Sequence, residues 1–237
     1  MIYQTKGIVL HKTIFADNKT IYHVYTNQEG MRSYMAYTSL KKEKKAQWIK
    51  LQPLAVVDLK AERRRSETLD YLKSVELEYV SGIQDFDYLK SSVKMFLNEV
   101  LYRVLQSAPP DKELFHFVAK SLYDFEKMRF VPDFHLRFLW QLTHYLGCAP
   151  ICNFSEEQPY FHVATAQFSS LKESVNRGVS AWIPRLLDAS FCSLSEEVLP
   201  MPLRDAMLEC VLAYYAQHIS TSIMNMQSHK VLKDVLR

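Results

Sequence analysis

The hydrophobic pattern of this chain changes period once, near Ser81-Gly82, and that change limits what the chain can fold into. Before it, apolar residues fall in short runs separated by turn residues. After it, they recur at three- and four-residue spacing. A strand-forming N-terminal third followed by a helical remainder is an α+β architecture with its two parts segregated along the chain.

In the first part, residues 3–15 carry Ile8, Val9 and Leu10 among polar neighbours. Residues 20–26 (TIYHVYT) are β-branched and aromatic, and residues 31–38 alternate in character. Between these two runs, Asn27-Gln28-Glu29-Gly30 reads as a hairpin turn, with Gly30 free to take positive φ. Residues 54–60 and about 68–79 supply two more strands around the turn Glu62 to Ser66. Five short strands within residues 1–80, with a longer connection after the third, fit a small Greek-key barrel of OB type. An SH3-like barrel has a similar pattern.

Residues 81–237 read as a helical domain. The first helix runs from Phe86 to Val104 with Asp85 placed as its N-cap, and Pro109-Pro110 ends it. Asp111 caps the next, through Phe125. Pro132 opens a third over Asp133 to Leu146, stopped by Gly147. Periodicity is lost over 148–170, where Pro159 to Phe168 fit a short hairpin. Shorter helices are expected over 170–176 and 179–188, and Ser193-x-x-Glu196 reads as a capping box. A long helix over Pro202 to Met224 and a last one over Ser228 to Leu236 complete the chain.

Charge is distributed unevenly. The whole chain carries only +3, yet residues 1–80 hold 14 Lys and Arg against 9 Asp and Glu, while residues 81–237 hold 15 against 17. Four of those lysines, Lys41, Lys42, Lys44 and Lys45, stand almost side by side in the long connection after the third strand, opposed only by Glu43. A solvated loop this positive is suited to the phosphates of a polyanion. The bland alternative is a solubilising loop. Arg63, Arg64 and Arg65 form a second basic turn. Tyr34, Tyr37 or Trp48 offers a stacking face for bases, although Ile49, Leu51 and Leu54 beside Trp48 favour its burial.

Several function classes lose their sequence support. With only five glycines, far apart, neither GxGxxG nor a Walker A loop can be written, and HExxH and GxSxG are also missing. No run of about eighteen apolar residues and no signal peptide is present, so a cytoplasmic, non-membrane protein is expected. Cys148-x-x-x-Cys152 has the wrong spacing for a zinc knuckle, and Cys192 and Cys210 stand alone. The histidines show neither metal-ligand spacing nor a carboxylate partner. No catalytic residue, metal or cofactor is assigned, and a binding protein rather than an enzyme is expected. Arg137, Gln141 and His144 form a polar stripe on the third helix, either a solvated face or a guanidinium beside an apolar groove suited to an acidic peptide.

The chain resembles the RecO family of bacterial recombination mediators over nearly its full length. The resemblance rests on KGIVLHKTIFADNKTIYHVYTNQEG (Lys6 to Gly30), the basic segment followed by LQPL (Leu51 to Leu54), and FLNEVLYRVL (Phe96 to Leu105). It continues in HLRFLWQLTHYLGCAP (His135 to Pro150) and HKVLKDVL (His229 to Leu236). It implies an N-terminal OB-fold over 1–80 and a helical domain over 81–237. It also implies binding to single- and double-stranded DNA, strand annealing, and partnership with RecR. Binding to the acidic, hydrophobic-ended tail of the single-stranded DNA-binding protein, and indirect help in loading RecA, are implied as well. Carried across, the DNA role falls on Lys41, Lys42, Lys44 and Lys45, with Arg32, and the tail-binding role on Arg137. Many members carry a four-cysteine zinc module after LG-x-x-P. Here Cys148 stands where the family usually has an aromatic, so a degenerate, zinc-less insert at about 148–192 is expected, its hairpin held by Tyr160, Phe161 and Phe168. The competing reading is an adaptor whose barrel binds protein and whose lysines only confer solubility.

Overall fold

The structure is a computed structural model. It describes residues 1–16, 18–37, 47–63, 69–79, 87–172, 175–188 and 198–236. Lys41, Lys42, Lys44, Lys45, Arg64, Arg65, Asp85, Cys192 and the Ser193–Glu196 pair lie outside the described residues.

The first five strands are β1 (Ile2–Ala16), β2 (Lys19–Thr26), β3 (Gly30–Tyr37), β4 (Val56–Glu62) and β5 (Leu69–Tyr79). They form a closed barrel in the order β1-β2-β3-β5-β4. The expected OB-type barrel is therefore present, closed by a parallel β3–β5 pairing and an antiparallel β1–β4 pairing. β1 is long enough to serve two neighbours: its first half pairs with β4, its second with β2, and its register shifts between Val9 and His11. An irregularity of this kind re-aims a strand around a barrel corner.

Alternation fills the barrel. Val9, Tyr22, Val24, Tyr34, Val57 and Leu59 point inward and are almost fully buried. Trp48 and Leu51 close one end, with the indole Nε1 donating to the Tyr37 carbonyl at 2.9 Å. Trp48 is thus core, as its apolar neighbours suggested, and Tyr34 is core too.

Two helices belong with this barrel, α1 (Tyr88–Leu105) and α2 (Lys112–Lys127). By packing, the chain divides into Met1–Glu126 and Lys127–Arg237. Asp87 caps α1, its carboxylate accepting from the amides of Leu89 and Lys90, two residues later than the position read from sequence. Asp111 caps α2 as expected. Both helices cover the outer side of β1 and β2. Ile8, Leu10 and Tyr25, which face away from the barrel interior, are fully buried. Tyr102 of α1 stacks on His11 with ring centroids 4.6 Å apart, and Tyr25 donates to the Pro109 carbonyl at 3.2 Å.

The second unit is built on α3 (Phe134–Tyr145), with the hairpin β6 (Tyr160–His162) and β7 (Gln167–Ser169). It continues through α4 (Arg177–Ser180), α5 (Ile183–Asp188), α6 (Met201–His218), a 3-10 turn (Thr221–Asn225) and α7 (Ser228–Leu236). Every residue of α3 from Phe134 to Thr143 is buried, so this helix is enclosed on all sides rather than amphipathic. Trp140 packs edge-on to Phe161 and against Tyr214. Gly147 takes φ +70 and stops the helix as expected. The described residues of 170–176 form no helix; Asn176 instead caps α4 by accepting from the Val179 amide. The hairpin expected at 159–168 is present. Phe161 and Phe168 hold it from within, centroids 5.1 Å apart, while Tyr160 stays half-exposed.

Candidate nucleic-acid interface

An OB barrel offers ligands the outer face of β2 and β3 together with the β1–β2 and β4–β5 connections. Here part of that face is already occupied. Tyr102 lies against His11 and His23, and Ser33 hydrogen-bonds His23 Nδ1 at 3.0 Å. The stretch left open is the end of the sheet nearest the β1–β2 connection. Lys19 and Tyr37 sit opposite each other in the β2–β3 register there, with Ile14 and Phe15 exposed on the adjoining end of β1. Tyr37 is also the last described residue before the segment that carries Lys41 to Lys45.

The opposite end of the barrel holds an ionic network. Asp70, fully buried, accepts from Tyr3 Oη at 2.5 Å and from Arg32 Nη2 at 3.1 Å. Glu29 lies 3.2 Å from Arg32 Nε and pairs with Arg63, whose guanidinium also lies 4.8 Å from the Tyr3 ring centre. Burial, foremost, raises the Tyr3 and Tyr34 phenol pKa values, so both stay protonated as donors. Arg32 alternates with Tyr34 and Ala36 on the inward register of β3 and meets two carboxylates. It is therefore held apart from the open Lys19–Tyr37 corner. The family resemblance grouped Arg32 with the lysines, and its carboxylate partner Asp70 lies too far along the chain for the sequence to show the pair.

Arg137 is likewise part of a local pair. Its Nε and Nη2 donate to the two carboxylate oxygens of Asp133 at 3.1 and 3.0 Å, and both residues are buried. Asp133 also accepts from the Leu199 amide at 2.8 Å, which ties the start of α3 to the approach to α6. Of the stripe Arg137, Gln141 and His144, the first two are buried and only His144 is exposed, so the stripe is not one solvated face. Asp133, the acidic partner of Arg137, stands four residues before it, a spacing the sequence shows.

His135, beside this pair, is fully enclosed, and burial lowers its pKa to about 4. The folded value lies below the unfolded one, so the unfolded state binds the proton first as pH falls. Stability conferred by the neutral ring should be complete above about pH 6.5 and decline by about 3 kcal/mol as pH drops to about 4. Urea midpoints of the protein and of His135→Gln across this range check it, the variant showing a shallower decline.

Among the described residues no three His, Cys, Asp or Glu side chains gather as a metal site. Cys148 is half-buried, Cys152 exposed and Cys210 buried, and burial raises the thiol pKa values of Cys148 and Cys210. This donor set does not fit a zinc module. No helix among the described residues is long and apolar enough to cross a membrane.

Residues 1–80 match the family model for the recombination protein O N-terminal domain, and residues 85–226 that for its C-terminal domain. The chain is 25% identical to the DNA repair protein RecO of Flavobacterium psychrophilum over 240 residues, 99% of each chain. It is 28% identical to that of Porphyromonas gingivalis over 92% of this chain and 93% of the relative. With that of Phocaeicola vulgatus it shares 29% identity over 73% and 72%. A closed five-stranded barrel followed by helices, matched along both parts by these models and relatives, places the chain in the RecO family of DNA repair and recombination proteins.

Proposed function

We propose that this chain is a non-enzymatic, cytoplasmic mediator of DNA repair that holds single- and double-stranded DNA by its phosphates and anneals complementary strands. In this reading it docks the acidic tail of the single-stranded DNA-binding protein, works with RecR, and so helps RecA onto coated strands. The observation that supports it best is the OB-order barrel whose β3–β4 connection carries Lys41, Lys42, Lys44 and Lys45. Phosphate contacts position a strand without reading its sequence, which suits a protein acting on any damaged site. Arg137 keeps the proposed tail-docking role, with Asp133 as the group that orients its guanidinium. Arg32, engaged by Asp70 and Glu29, contributes to the DNA site less directly than the lysines.

Changing the four lysines to Ala together tests the reading. Each single-strand phosphate contact contributes about 0.7 to the slope of log affinity against log salt, so the variant should lose about 3 from that slope and about a hundred-fold in affinity near 0.1 M salt. Fluorescence anisotropy with a mixed-sequence single strand reads both. A flat salt response in the unmodified protein, or an unchanged affinity in the variant, would favour the adaptor.

A further inference from the structure

The geometry points to the Tyr37–Tyr71 pair as a stacking platform for unpaired nucleobases, an inference that rests on the DNA-binding reading and deepens it. Both rings leave the barrel on its outer side: Tyr34, Ala36 and Leu72 fill the interior, so their chain neighbours face out. The parallel register sets Met35 opposite Tyr71, which brings Tyr37 within reach, and the two rings stack at 6.0 Å with 17° between their planes. Tyr37 remains 44% exposed. Lys19 Nζ lies 5.7 Å from the centre of its ring.

An aromatic pair with a flexible ammonium group over one ring matches a nucleotide in two respects. A base takes the ring face that Lys19 covers in its absence, and the displaced amine meets the neighbouring phosphate. Ile14 and Phe15, 80% and 63% exposed, add apolar surface at the adjoining end of β1. In sequence, Tyr37 stands just before Lys41, Lys42, Lys44 and Lys45. The charge around the platform selects an anionic polymer over an uncharged apolar partner. In duplex DNA the base faces are hidden in the stack. The lysines grip either form of DNA, whereas the platform rewards only the single strand.

Three ligands of equal length separate the contributions: a mixed-sequence single strand, an abasic strand and a duplex. The unmodified protein should bind the normal single strand about ten-fold more tightly than the abasic one. Tyr37→Ala should lose that ten-fold advantage, leave abasic and duplex affinities unchanged, and keep the full salt slope. Tyr37→Phe, which retains the ring, should bind like the unmodified protein. Equal affinity of the unmodified protein for normal and abasic strands overturns the platform without requiring any variant. If that equality comes with a steep salt slope that the lysine substitutions remove, the DNA reading stands alone. A Tyr37→Ala loss of the same size on the abasic strand also overturns stacking. Failure to bind any of the three ligands overturns both readings.

Discussion

Asp133→Ala is expected to destabilise the Lys127–Arg237 unit by about 3–5 kcal/mol, because it leaves a buried guanidinium without the carboxylate that neutralises it. The same change removes the acceptor for the Leu199 amide, and an unpaired buried donor adds its own desolvation cost. Against a typical domain stability of about 5–15 kcal/mol, the unit should be largely unfolded at modest urea, read as an early loss of near-ultraviolet circular dichroism. Arg137→Ala should also destabilise, since it leaves Asp133 as the buried charge. The double change Asp133→Asn with Arg137→Met should recover much of the loss. Asparagine still accepts from Leu199, methionine fills the space of the arginine stem, and no charge is stranded. That doubly neutral protein is the appropriate form in which to measure an acidic peptide ending in Pro-Phe. Lost affinity with the fold intact supports the docking role of Arg137, and retained affinity assigns Arg137 to the fold alone.

Gly30→Ala should cost the barrel unit about 2–5 kcal/mol, from a left-handed backbone penalty of about 1–2 and a steric term of about 1–3. Gly30 has φ +69, and a Cβ there would lie 2.3 Å from the Ala108 carbonyl oxygen and 2.7 Å from the Pro109 carbonyl carbon. Both are backbone atoms of the α1–α2 connection, which also receives the Met31 amide at 3.3 Å. Relief therefore means moving the connection off the barrel. Gly147→Ala separates the two contributions, since φ there is +70 with nothing within 4 Å of the added carbon. It should cost only the left-handed penalty, about 1–2 kcal/mol. Gly7→Ala carries the steric part alone: the 2.3 Å approach is to Cγ1 of the fully buried Val24, whose branched side chain has one stiff torsion with which to yield. Urea unfolding of the three variants gives the ranking. A Gly30 variant no worse than the Gly147 one would show that the connection yields freely.

Most of the architecture was legible because local chemistry and tertiary packing agree. β-branched and aromatic runs bounded by Asn27–Gly30 formed the expected hairpin, and the helix stop at Gly147 is where its backbone freedom is needed. The residues whose surroundings stayed hidden include those with partners from elsewhere in the chain. Arg32, given a DNA role by the family resemblance, meets Asp70, which stands 38 residues away. The polar stripe on α3, readable as a solvated face or as a guanidinium beside a groove, is buried at Arg137 and Gln141. Its surrounding residues, Phe134, Leu136, Phe138 and Trp140, cover too many directions for one face, and that breadth was the available signal. Tyr71 gained meaning only from the parallel pairing of β3 with β5, since strands so far apart in sequence carry no pairing signature. For Trp48 the sequence left stacking and burial both open and leaned to burial through its apolar neighbours, and the structure places it in the core.

Closure of the barrel carries a consequence for how partners attach. That closure is uneven among the described residues: β5 pairs with β4 along most of its length but with β3 only through Leu69 to Tyr71. Beyond Tyr71, β5 therefore has a paired strand on one side only, and this seam is where an extended peptide could borrow main-chain hydrogen bonds. A partner seated on the fully paired strands must instead be held by side chains.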